Sequence, residues 1–172
     1  MNQPEKIVDG FRFLPPSLGA WIRSKIPSED YQGDIPWTPL AKPLSDATFA
    51  LVTSAGISIK SDPPFDMERE KTEPTWGDPT CRFIPKSTQP ADINVNHLHI
   101  NSTHILADLN VILPLKRMEE LSAEGVIGSL APTAYSFYGF QWENKEFLNT
   151  AIAPMIDKMK LEGVDAVLLT PA

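Results

Sequence analysis

The apolar positions fall into a few short runs, separated by long polar and proline-rich stretches. From Asp46 to Ile57 the run is nearly unbroken, Ala47-Thr-Phe-Ala-Leu-Val-Thr53, before the small residues Ser54, Ala55 and Gly56. Such a run predicts a central parallel strand covered on both faces. The small residues predict a tight turn at its end, where a ligand can approach the backbone. Leu115, Met118 and Leu121 then recur at helical spacing between Pro114, suited to a first turn, and Gly125, a stop signal. Between Glu143 and Glu162 the apolar set Phe147, Leu148, Ile152, Met155, Ile156 and Met159 predicts the longest helix. Pro154 predicts a kink or break near Ala153. After Gly163, Val164 to Leu169 reads as a buried strand opening onto a turn at Thr170 and Pro171. Helix, glycine, then apolar strand is the second half of a βαβ unit. Residues 47–172 are therefore expected to form an α/β domain on a parallel sheet, Rossmann- or flavodoxin-like.

The remaining stretches lack a clear period. Residues 1–46 read as an irregular, proline-rich arm. Within it a short helix is expected over Leu18 to Ile26, with Leu18, Trp21, Ile22 and Ile26 on one face, and an extended piece over Ile35 to Leu40. Residues 58–91 read as a long loop of the kind that serves as a lid or binding loop, with Cys81 to Ile84 as a short strand. From Ile93 to Ile100 apolar and polar residues alternate. The alternation slips at Asn96-His97, which predicts a bulge or bend.

Composition narrows the classes. The net charge of -7 argues against a nucleic-acid or anionic-membrane partner. One cysteine, Cys81, excludes an internal disulfide and fits a reducing cytoplasm. No signal-peptide pattern and no run long enough for a membrane span are present. Neither GxGxxG nor Walker A occurs, so nucleotide binding has no support.

All three histidines, His97, His99 and His104, lie in the polar segment 92–109. His97 and His99 share one face of a strand. They suit proton transfer, or, with His104, Asp92 or Asp108, a metal; they equally suit a polar strand edge. Arg82 suits a substrate carboxylate, or an ion pair with Asp78 that pins the loop. Cys81 reads as a buried, inert thiol. Asn101, Asp108 and Asn110 are candidate substrate contacts, with Asp108 and Asn110 equally suited to a cap or turn. These residues alone define no reaction class.

Taken together, a set of stretches resembles the selenoprotein B family of the glycine, sarcosine, betaine and D-proline reductases, in its shorter branch. They are Pro36-Trp-Thr-Pro-Leu-Ala-Lys-Pro-Leu44, Ala50-Leu-Val-Thr-Ser-Ala-Gly56, Asp62-Pro-Pro-Phe-Asp66, Gly77-Asp-Pro-Thr-Cys-Arg-Phe-Ile-Pro85 and His97-Leu-His99. Asp108-Leu-Asn110, Glu124-Gly-Val-Ile-Gly128 and Gly163 to Thr170 continue the likeness, which covers residues 36–172. The resemblance implies reductive C–N cleavage by a selenocysteine or cysteine, followed two residues later by a cysteine, just beyond the Leu-Leu-Thr strand. The sequence stops at Pro171-Ala172, where that motif is expected. The expectation is a reading frame ended at a selenocysteine codon, or else a truncation at that point, with the sheet incomplete and the chain as it stands inactive. No other cofactor is implied. Implied partners are a small amino-acid-like substrate, a thiol reductant and other reductase-complex subunits. Position and chemistry then assign Arg82 to a substrate carboxylate, His97 or His99 to proton transfer, and the Ser54–Gly56 amides to an anion, with Asp78, Asn101, Asp108 and Asn110 nearby. Two alternatives stand beside this: a His-dependent metal or acid–base enzyme, and a non-catalytic assembly subunit that forms homo-oligomers through the N-terminal arm.

Overall fold

The computed structural model describes residues 9–24, 26, 33–34, 37–73, 76–97, 101–141 and 144–172. The chain divides into two units, Met1–Thr38 and Pro39–Ala172. The sequence places the arm's boundary at residue 46. The structure takes residues 39–46 into the second unit, because they are bonded to the sheet: the Gly128 amide donates to the Leu44 and Ala47 carbonyls, and Lys42 pairs with Asp165 at 3.0 Å.

The first unit carries a 3-10 turn, Gly10–Phe13, and helix α1, Pro16–Arg23. Asp9 accepts from the Phe11 amide, and the Arg23 guanidinium lies 4.0 Å from the Phe11 ring centroid. The helix starts before the expected Leu18 because prolines fit a helical first turn. It ends before Ile26; Leu18, Trp21 and Ile26 are exposed.

The second unit is a mixed α/β domain with a mostly parallel sheet. Its strands are β1 (Thr48–Thr53), β3 (Cys81–Pro85), β5 (Ser129–Leu130), β6 (Thr133–Phe137) and β7 (Ala166–Thr170), while β2 (Ile57–Ile59) and β4 (Ile93–Val95) form a separate antiparallel pair. β7 pairs in parallel with β1 along Phe49 to Thr53. The other edge of β1 is shared by β5 near Thr48 and β6 near Thr53, both parallel. β3 closes that side, antiparallel to β6.

The alternation along β1 shows why it is central. Leu51 and Phe49 pack with Ile105, Leu109, Leu113, Leu115 and Met118, on the face covered by α3 (Ser102–Ala107) and α4 (Leu115–Ala123). Ala50 and Val52 pack with Tyr135, Ala151 and Met155 on the other face. Helix α4 fits its pattern: Leu115 and Met118 are buried, Leu121 is half-buried, and Gly125 follows the last turn at φ 72°.

The predicted long helix is continuous from Asn144 to Leu161, as α5 (Asn144–Phe147), a π turn (Leu148–Ile152) and α6 (Ala153–Leu161). Pro154 therefore neither breaks nor ends it. A proline has no N–H for the carbonyl four residues back, and the wider π turn directly before it accommodates that loss. The Thr150 hydroxyl donates within the π turn to the Glu146 carbonyl and outward to the Pro79 carbonyl, at 3.0 and 2.7 Å.

Three other expectations change. The run ending at Ile57 is two strands, because the chain leaves β1 at Ser54 and enters β2 through Gly56 at φ 60°. Residues 58–91 are no free loop: besides the expected short strand, β3, they hold the end of β2 and helix α2 (Met67–Thr72). β7 is not buried; it is an edge strand, with Val167, Leu168 and Leu169 exposed by 42%, 40% and 69%. Among the described residues no helix is long and apolar enough to cross a membrane.

Candidate active site

Parallel pairing brings the carboxyl ends of β1, β6 and β7 to one rim, the usual position for chemistry in an open α/β sheet. Hydrogen bonds stitch the rim together. The Ser54 amide donates to the Thr170 carbonyl and the Gly56 amide to the Phe137 carbonyl, at 3.2 and 3.0 Å. The Ala55 amide donates to the Thr53 hydroxyl at 3.3 Å. All three turn amides are thus engaged internally, rather than directed at a bound anion. Ser54 Oγ accepts from the Ala172 amide at 3.0 Å, and the Thr170 hydroxyl donates to the Ile112 carbonyl at 2.6 Å. Between these strand ends lies a groove of about 330 Å³ lined by Val52, Ser54, Phe137, Leu169, Thr170 and Pro171. Apart from the Ser54 and Thr170 hydroxyls, its side-chain walls are hydrocarbon.

Beside the groove the chain past β6 carries a second arrangement. Tyr138, bridged to Ala55, donates its hydroxyl to Glu70 Oε1 in a short hydrogen bond. Glu70 comes from α2 and is 7% exposed. Burial, and then the carboxylate, push the Tyr138 phenol's ionisation up, so it stays a donor. The His97 imidazole stacks on the Tyr138 ring, with centroids 4.9 Å apart and planes 21° from parallel. Gly56 is required here: a Cβ would sit 2.9 Å from the Asn96 carbonyl oxygen and 3.2 Å from the Tyr138 ring. Asn96, just before His97, is buried and accepts from Ser58 Oγ at 2.7 Å. This bond, and one from the Asn96 amide to the Gly56 carbonyl, end β4 where the sequence alternation slips.

Ser54, Gly56 and His97 are therefore assembled around the Tyr138-Gly139 segment. The other candidates are placed elsewhere. Arg82 donates from Nε to the Pro63 carbonyl, from Nη2 to the Pro64 carbonyl, and from Nη1 to Thr80 Oγ1 and the Cys81 carbonyl. It lies over the Phe65 ring at 4.1 Å. Four hydrogen bonds thus engage its guanidinium, two of them on the Pro63 and Pro64 carbonyls, so it pins that loop as the structural reading required, though through carbonyls instead of Asp78. Asp78 is buried and accepts from the Asp66 and Thr80 amides and the Thr80 hydroxyl. Asn101 caps α3. Asp108 accepts from the Asn110 amide and side chain, and these bonds lower its pKa. Asn110 Oδ1 in turn accepts from the Lys116 and Arg117 amides at the start of α4. Asp108 and Asn110 thus act as caps, and they line a different depression, with Lys86, Thr88 and Lys116. Cys81 is half-buried, and burial pushes its thiol pKa up. His104 is exposed on α3, and His99 lies outside the described residues. Among the described residues no three His, Cys, Asp or Glu side chains are grouped to hold a metal ion.

Sequence reasoning missed Glu70 and Tyr138. Glu70 sits in the charged run Met67-Glu-Arg-Glu-Lys-Thr72, within the stretch that reads as a loop, and its partner lies 68 residues away.

Comparison with known proteins places this rim in context. The model of the glycine/sarcosine/betaine reductase selenoprotein B family matches residues 24–172. The chain is 37% identical over 134 residues to the D-proline reductase subunit gamma of Acetoanaerobium sticklandii, covering 78% of this chain and 52% of that protein. It is 32% identical over 138 residues to the glycine reductase complex component B subunit gamma of Carboxydothermus hydrogenoformans, covering 79% and 30%. It is 27% identical over 157 residues to the betaine reductase complex component B subunit beta of Peptoclostridium acidaminophilum, covering 87% and 35%. The chain thus spans about half the length of the first of these and about a third of the other two. No solved structure matches it.

Proposed function

The chain belongs to the glycine/sarcosine/betaine reductase selenoprotein B family, and from that premise we propose that it is a subunit of an amino-acid reductase complex, serving reductive C–N bond cleavage. In that reaction a dithiol is oxidised to a disulfide. The C–N bond breaks, carbon gains one hydrogen, and the nitrogen leaves as an amine with the second. The match of residues 24–172 to the family is the observation that carries this reading. The named relatives, which act in D-proline, glycine and betaine reduction, support it.

The groove suits the hydrocarbon part of an amine substrate, against Val52, Phe137, Leu169 and Pro171. Ser54 supplies a hydroxyl at its wall, and His97 the proton that the departing nitrogen takes. A selenocysteine or cysteine after Thr170, as the resemblance implies, would open onto this groove and supply the nucleophile. In this reading Arg82 and Asp78 support the rim without touching substrate. The partners proposed are a thiol reductant and other subunits of such a complex.

The test is release of a free amine from betaine, sarcosine and glycine, and of the primary amino group of the ring-opened product from D-proline. The gene is expressed with its downstream sequence in a selenium-incorporating host, and dithiothreitol is the reductant. Release from at least one substrate, abolished by thiol alkylation, is expected. Absence of release from all four, with the other subunits of the complex added, overturns the proposal.

A further inference from the structure

Glu70 and Tyr138 have no place in the reaction as written, yet they make a deeply buried contact between two side chains at the rim. Glu70 is 7% and Tyr138 2% exposed. Withdrawing a carboxylate and a phenol from water is unfavourable unless they are hydrogen-bonded, and their shared bond engages the phenol and one of the two carboxylate oxygens. An aliphatic pair would fill the same space without that penalty. The bond fixes something else: the far end of the Tyr138 ring. The ring is held at its backbone by the bridge to Ala55, at its edge by Gly56, and at its hydroxyl by Glu70. Among the described residues, His97 stacks on this ring. Gln141 steadies the same segment, donating to the Tyr138 and Asp78 carbonyls at 2.8 Å each.

We propose that Glu70 and Tyr138 are positioning residues for His97: the carboxylate locks the phenol ring, and the ring holds the imidazole in one plane at the rim. The three come from α2, the end of β6 and the segment after β4, so the unit ties three separate parts of the chain to one orientation. An imidazole transfers protons along its ring plane, through its nitrogens. Holding that plane selects the direction in which His97 can donate. The catalytic use of His97 rests on the proposed function; the positioning itself does not.

The test is the rate at which His97 is acylated by diethyl pyrocarbonate, with exposed His104 as internal reference. It is read by peptide mass spectrometry on the whole protein at mildly alkaline pH, above the ordinary imidazole range. In the parent protein His97, with one face covered, is expected to react more slowly than His104. Tyr138→Phe, which removes only the hydroxyl, and Glu70→Ala should each raise the His97 rate by about tenfold, the scale of one lost charge-assisted hydrogen bond. His104 should be unchanged. Glu70→Gln keeps an oxygen that accepts the Tyr138 hydroxyl, and should stay near the parent rate. Should Glu70→Ala fail to fold, Tyr138→Phe alone carries the test. An unchanged His97 rate in folded Tyr138→Phe overturns the proposal, as does a rise in Glu70→Gln equal to that in Tyr138→Phe. If the rates behave as expected but a His97→Gln protein releases amine normally, the positioning unit stands and the role given to His97 in catalysis falls.

Discussion

Two tyrosines on one stretch of chain, three residues apart, meet opposite fates. Tyr135 is fully buried among Ala50, Val52, Ala131, Ala151 and Met155, and its hydroxyl has no hydrogen-bond partner among the described residues. Burial, and then Glu162, raise its ionisation. Tyr138 is as deeply buried, but its hydroxyl meets a carboxylate and its face meets an imidazole. In the core under α6 the fold tolerates an orphaned hydroxyl, because ring packing alone holds the site. At the rim it brings together a buried acid, a phenol and a histidine from distant parts of the chain. Buried polar pairs are weak sources of stability, so the pair at the carboxyl ends of the strands is in keeping with the role proposed for that end.

The largest way to break this contrast is Gly56→Ala. The left-handed φ of 60° and a Cβ 2.9 Å from the Asn96 carbonyl oxygen should together cost about 3 kcal/mol in a denaturant titration. Tyr138→Phe comes next. It leaves the Glu70 carboxylate buried without its phenol donor and should cost about 2 kcal/mol. Tyr135→Phe sharpens the comparison from the other side: removing a hydroxyl that has no partner should change stability by no more than about 0.5 kcal/mol, or raise it. A loss equal to that of Tyr138→Phe would show that the two environments are alike. The smallest effect is electrostatic and lies at the opposite end of the sheet. The Asp165 carboxylate accepts from the Thr48 amide at 2.9 Å and pairs with Lys42, and these contacts lower its pKa. Its stabilisation is therefore complete above the unfolded value near ~3.9 and disappears as pH falls through the lower folded value. Asp165→Asn should flatten the acid limb of the melting-temperature profile below about pH 4.

Much of the scaffold was legible because its signals are local. The run Ala47 to Thr53, the stripe Leu115, Met118 and Leu121, and the Gly163 stop each carry their meaning within a few residues. Ser54 and Gly56 were legible for the same reason. Arg82 stood out as a lone guanidinium in a loop, but its partners are main-chain carbonyls at Pro63 and Pro64, which every residue possesses and no sequence pattern marks. Asp108 and Asn110 looked equally like a site or a cap, and only the Lys116 and Arg117 amides decide for the cap. The exposure of β7 was hidden because apolar content reports the burial a strand is suited to. Its neighbours decide the burial it has, and here only β1 flanks it.

The π turn at Leu148–Ile152 has a consequence for inheritance. A turn of this kind holds one residue more than an α-helical turn, as an insertion would leave it. Phe147, just ahead of it, rests on Phe137 with ring centroids 5.1 Å apart, and Phe137 forms a wall of the rim groove. Deleting one residue between Leu148 and Ile152 would restore a regular helix and swing Phe147 about 100° around the helix axis. The groove would lose the support behind one wall while every wall residue kept its identity. Descendants of one ancestor could thus diverge in the shape of this groove by gaining or losing a single codon in a helix that is no part of its lining.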